Sequence, residues 1–114
     1  MPSPPFVAID RFFDGNDDLG SIGCNLMEHP GIPVFREALT RLATRPDVTG
    51  VYAQISEIDP GDGCWAFSDT ILVTGSVEIA AVEREVEALQ PDEVGPSDRT
   101  DLPGGARALY IWWD

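Results

Sequence analysis

The chain has 114 residues, 43% hydrophobic and 24% charged, a balance that describes a single globular domain and excludes both a disordered tail and a two-domain enzyme. No apolar run approaches the ~18 residues of a membrane-spanning helix. Seven basic residues against twenty acidic ones leave a net charge of −13, which repels phosphate backbones and anionic lipid and so excludes nucleic acid and membrane surfaces as partners.

The same charge attracts a basic protein, a cationic ligand or a metal ion and would steer their encounter; its plainer use is solubility. All seven basic residues are arginine, and lysine is missing. Codon drift in a GC-rich genome accounts for this, with a salt-adapted host as the alternative. Cys24 and Cys64 are too few for a disulfide scaffold and lack zinc-type spacing, so they are read as reduced, buried small hydrophobes.

Residues 1–5 are proline-rich and are expected to fray, which leaves 6–114 as the domain. They lack the basic-then-apolar build of an export signal, so the expected compartment is the cytoplasm. Residues 6–13, FVAIDRFF, are rich in strand formers. After the turn-forming run 14–20, residues 21–27 suit a second strand, and the two would form an N-terminal hairpin. Pro33 suits the first position of a helix. Val34, Phe35, Ala38, Leu39 and Leu42 form its apolar stripe, and Pro46 stops it near Thr44.

Residues 50–58 alternate, with Val51, Ala53 and Ile55 on one face and Tyr52, Gln54 and Ser56 on the other. A turn at 59–63 leads to a strand over 64–74, antiparallel to it. Ser76 and Glu78 open a second helix over 77–89, with Ile79, Val82, Val86 and Leu89 as its buried stripe. Residues 91–105 read as a long polar loop. Residues 106–113 read as a last strand.

The resulting order is βαββαβ, an α+β, ferredoxin-like split βαβ: an antiparallel sheet with two helices on one face, with room for an extra N-terminal hairpin strand. The last strand is apolar on both faces, with Ala108, Tyr110 and Trp112 on one and Leu109, Ile111 and Trp113 on the other. Only one set can lie under the helices. The other, joined by Tyr52 or Trp65, would form an apolar patch of the kind that marks an interface. A homodimer or a partner is therefore expected there, unless the 91–105 loop or the N-terminal hairpin covers it.

Candidate chemistry is sparse. Asp14, Asn16 and Asp18 match the first three ligand positions of a calcium loop, but Leu19 stands where the loop needs glycine and Asn25 where it needs glutamate. Turn formation explains the same residues. His29 is the sole histidine. It has no nucleophile signature around it and suits a loop residue bonded to backbone, with acid/base use as the alternative. Asp69 falls in an otherwise apolar strand, where a carboxyl can serve as acid or base or pair with Arg11 or Arg107. Asp10 and Glu57 pose the same choice. No phosphate-binding glycine loop occurs, and no cofactor is implied.

These features favour a small acidic cytoplasmic binding module, non-enzymatic, that masks a basic partner as an immunity or inhibitor protein does. Asp14, Asp17 and Asp18 would set the on-rate, and Trp65, Tyr110 and Trp112 would anchor the contact. The alternatives are a small dimeric ferredoxin-like enzyme using Asp69 or His29, and a small-molecule-sensing regulatory domain. An apolar pocket would mark the enzyme.

Overall fold

The structure, a computed structural model, describes residues 6–14, 22, 29–55, 68–99, 102 and 108–113. Among them the chain runs β1 (Phe6–Ala8), α1 (Ile9–Phe13), α2 (Ile32–Ala43), β2 (Val48–Gln54), β3 (Thr70–Gly75), α3 (Ile79–Glu85), a 3-10 turn (Glu87–Leu89), β4 (Glu93–Ser97) and β5 (Ala108–Trp112). The five strands make one open sheet in the order β1-β2-β3-β5-β4, every neighbouring pair antiparallel.

In class and layering this is the expected α+β architecture, compatible in outline with a ferredoxin-like fold. The strand order is the chain's own. A split βαβ interleaves its strands so that the first lies inside the sheet; here β1 sits at an edge beside β2. Two departures from the sequence pattern account for this. Residues 6–13 are not one strand, because Ile9, Phe12 and Phe13 lie at i, i+3 and i+4 and are all buried, which is a helical spacing. Only three residues remain for β1. The 91–105 segment also contributes a strand, β4. Gly95 and Pro96 conceal it in the sequence, and proline is tolerated there because β4 is an edge.

The expected second strand at 21–27 lies outside the described residues except for Ile22, which is fully buried and makes an isolated parallel bridge to Ser68. The 59–63 turn and residues 64–67 of the expected third strand also lie outside them.

Helix α2 begins one residue earlier than the proline suggests, at Ile32, with Pro33 in its first turn. Ile32 takes the core place assigned to Val34, which is 37% exposed. Phe35, Ala38, Leu39 and Leu42 complete the buried stripe, each large member contributing about 1.5–3 kcal/mol of burial. The helix ends as expected at Thr44, whose Oγ1 donates to the Arg41 carbonyl at 2.8 Å. Helix α3 starts at Ile79 with Glu78 as its cap residue, so Ser76 and Val77 precede it. After Val86 the chain tightens into the 3-10 turn and leaves through Gln90 in the left-handed region (φ 54°), followed by Pro91.

The sheet register sorts side chains into two faces. Val7, Ala53, Ile71, Ile111 and Val94 form one cross-strand row, and Val51, Val73 and Leu109 another. These rows pack beneath the helices in the main core, together with Phe12, Phe13, Phe35, Leu39, Val82, Leu89 and Trp113. Trp113 is 2% exposed, and its indole N–H donates to the Leu89 carbonyl at 2.8 Å, closing the end of the 3-10 turn.

Candidate functional site: a cleft on the sheet face opposite the helices

The opposite sheet face carries three rows. Phe6, Gln54, Thr70, Trp112 and Glu93 run across all five strands; Ala8, Tyr52, Leu72, Tyr110 and Gly95 run beside them; Gly50, Thr74, Ala108 and Ser97 form the third. The sequence expectation for β5 holds. Leu109, Ile111 and Trp113 lie with the helices, and Ala108, Tyr110 and Trp112 face away.

This face is partly roofed by the chain itself. Leu102 packs with Leu72 and Ala108 in a second apolar cluster that Phe6, Tyr52 and Tyr110 join. The Arg99 guanidinium lies 4.9 Å from the Phe6 ring centre and donates to Gln54 Oε1 at 2.8 Å. The segment after β4 thus takes the covering role that the sequence allowed it. Phe6 and Tyr52 meet edge to face at 5.4 Å.

What stays open is a cleft of about 480 Å3 over β2, β3, β5 and β4, lined by Gln54, Thr70, Leu72, Glu93, Pro96, Ser97, Asp98, Tyr110 and Trp112. Tyr110 and Trp112 are half-buried, whereas Glu93 and Asp98 are exposed. No basic residue lines it among the described residues. The Tyr110 ring lies over Gly95 on the neighbouring strand, where an added Cβ would sit 3.0 Å from the phenol oxygen. Burial holds the Tyr110 hydroxyl above its ordinary pKa, and a hydrogen bond to the Glu93 carboxylate adds to this because the nearby charge disfavours a phenolate.

The residues singled out in the sequence do not converge on this cleft. His29 Nδ1 accepts the Gly31 N–H at 2.9 Å, which puts the proton on Nε2, and Nε2 donates to the Ile22 carbonyl at 2.8 Å. Its ring lies 5.0 Å from that of Phe35. Both nitrogens are therefore engaged in tying the α2 entry to Ile22.

Asp69 stands at a bend before β3 instead of within a regular strand. Its carboxylate accepts the Thr70 hydroxyl at 2.9 Å and its carbonyl accepts the Trp113 N–H at 2.9 Å. Thr70 lines the cleft and Asp69 does not. Asp14 is exposed at the end of α1, and Asp10 is exposed on α1 itself; α1 packs in the helical layer, away from Tyr110 and Trp112. Asn16, Asp17, Asp18, Cys24, Glu57, Cys64 and Trp65 lie outside the described residues. Among the described residues no group of three or more His, Cys, Asp or Glu side chains is placed to hold a metal ion. No helix among them is long and apolar enough to cross a membrane.

Over residues 1–109 the chain matches the family described as "Uncharacterized protein YfbO family". It belongs to the YfbO family. A bacterial relative, the uncharacterized protein YfbO of Escherichia coli (strain K12), is 30% identical over 118 aligned residues, which cover 96% of this chain and 83% of the relative. No solved structure matches the chain. In this YfbO-family chain, Tyr110, Trp112 and Tyr52 were legible as face residues from alternation within their strands. Gln54 was legible in the same way, on the Tyr52 face of its strand, whereas Glu93 and Asp98 were not singled out, because their placement depends on the β4–β5 register and on the path of the chain after β4.

Proposed function

We propose that this YfbO-family chain is a small cytoplasmic, non-enzymatic binding module that masks a basic partner protein, in the manner of an immunity or inhibitor protein. The single observation that carries this is the cleft on the sheet face opposite the helices, where Tyr110 and Trp112 stand beside the Glu93 and Asp98 carboxylates and no basic residue lines it among the described residues. Half-buried aromatics surrounded by carboxylates supply an anchor and a complementary field for a cationic surface. The net charge of −13 adds long-range steering. An acid/base role has less support: the ring nitrogens of His29 are both bonded to backbone, and Asp69 is not among the cleft lining.

A second reading, a small-molecule-sensing domain, draws on the cleft volume of about 480 Å3, which falls in the range of small-ligand pockets. Capture from a host lysate with the wild-type chain and with Trp112→Ala separates the two. The masking role predicts a basic protein held in stoichiometric amount, released by salt and lost by the variant. Recovery of both baits without a partner, together with a ligand-induced rise in Tm from a metabolite screen, would replace it with the sensing role.

A further inference from the structure

We propose that the cleft is a receptor for a guanidinium group, presented as a single arginine side chain by the basic partner; this rests on the masking role above. Three observations carry it. First, the walls offer two kinds of surface that suit a planar cation: the half-buried rings of Tyr110 and Trp112, and the Glu93 and Asp98 carboxylates at the rim. A guanidinium can stack on an aromatic face and bond a carboxylate through its fork, whereas an ammonium is a compact, strongly hydrated charge that does only the second well.

Second, the same face already holds a guanidinium in this way. Arg99 lies over the Phe6 ring and donates to Gln54 Oε1. Phe6 and Gln54 begin the cross-strand row that ends with Trp112 and Glu93. One end of the row thus pairs an aromatic ring with a neutral amide and carries the chain's own arginine. The other end pairs an aromatic ring with a carboxylate, and no basic side chain lines the cleft there among the described residues.

Third, the chemistry of the lining selects against the alternatives. An anionic ligand meets two carboxylates and the field of the whole chain. A purely apolar one would bury the Glu93 and Asp98 carboxylates at the rim without a compensating charge.

The test is an NMR titration of the whole chain with three capped tripeptides, Gly-Arg-Gly, Gly-Lys-Gly and Gly-citrulline-Gly. The last keeps the shape of arginine without its charge. The arginine peptide should shift the Trp112 indole and the Glu93, Gly95 and Tyr110 amides saturably. The lysine peptide should bind several-fold more weakly, and the citrulline peptide should leave those signals in place. Glu93→Gln, at an exposed position, should weaken the arginine peptide about tenfold, the scale of a charge-assisted hydrogen bond. Trp112→Leu should do the same through loss of stacking.

Equal binding of the lysine and arginine peptides, or shifts confined to residues outside the cleft, would overturn the proposal. A basic protein captured through this face while the cleft stays silent to arginine would overturn it too and leave the masking role standing. Arginine binding in the cleft with no captured protein would uphold the guanidinium site and remove the masking role.

Discussion

Single residues set the geometry of the sheet and of its face opposite the helices. Gly75 ends β3 with φ +128°, and a Cβ there would collide with the Asp47 carbonyl oxygen. That oxygen already accepts the Ser76 and Val77 N–H groups at 2.9 and 3.1 Å. A side chain at Gly75 would therefore strain its own backbone and displace the acceptor on which the approach to α3 depends. Gly75→Ala is expected to cost about 2–3 kcal/mol in urea unfolding, and a loss within about 0.5 kcal/mol would show that the strand end can shift. Gly50 plays a different part. The Tyr52 ring folds back over it, with the phenol oxygen 2.5 Å from the position of a Cβ. Together with Tyr110 over Gly95, this places two tyrosine rings over glycines on one sheet face, where a Cβ would displace them.

Between elements, the turn from α2 into β2 is fastened by charge. Arg45 Nε and Nη2 donate to the two Asp47 carboxylate oxygens at 2.9 and 3.1 Å, and Arg45 Nη1 lies 3.6 Å from Glu85 on α3. The hydrogen bonds from Arg45 hold the Asp47 carboxyl below its ordinary pKa, and Asp47 in turn raises that of Arg45. A carboxyl depressed on folding contributes stability above its unfolded pKa, and that contribution is lost as pH falls through its folded value. The pair should thus support the domain at neutral pH, begin to lose that contribution below about pH 4 and cease to contribute once the pH has passed below the depressed Asp47 value. Asp47→Asn is expected to lower the urea midpoint at pH 7 modestly, as a partly exposed pair should, and to leave it nearly unchanged at pH 2.5. An equal loss at both values would assign the effect to packing. Little of this network was legible in the sequence, since Arg45 and Asp47 are near neighbours but Glu85 meets them only through the packing of α3. The apolar stripe of α2, the two faces of β2 and the pairing of β2 with β3 were legible, because periods of 3.6 and 2 are local. The α1 turn was missed because Ile9, Phe12 and Phe13 are also good strand formers. β4 was missed because an edge strand can carry glycine and proline, and with it went the part of the cleft that Glu93, Pro96 and Ser97 line.

At the scale of the whole molecule, charge separates the two uses open to the sheet face opposite the helices. The face was expected from its aromatics to bind either a second copy of the chain or another protein, and among the described residues Arg99 and Leu102 cover part of it. Two copies would bring together charges of −13 each, so their repulsion should oppose pairing at low ionic strength and relax as salt screens it. A basic partner is drawn in by the same field, so salt should weaken that complex and slow its formation. At ~50 mM salt the Debye length exceeds the ~10 Å of 0.1 M, and at ~500 mM it falls well below that value, so the two conditions bracket the effect. Sedimentation of the isolated chain is therefore expected to show monomer at the lower value, with any dimer appearing only at the higher. The association rate with the basic partner should fall at least tenfold over the same range, as electrostatically steered encounters do. A dimer that is tight at low salt would mean that buried aromatic area outweighs the repulsion and that the cleft is closed by a second copy. A partner on-rate indifferent to salt would mean that the acidic surface serves solubility alone.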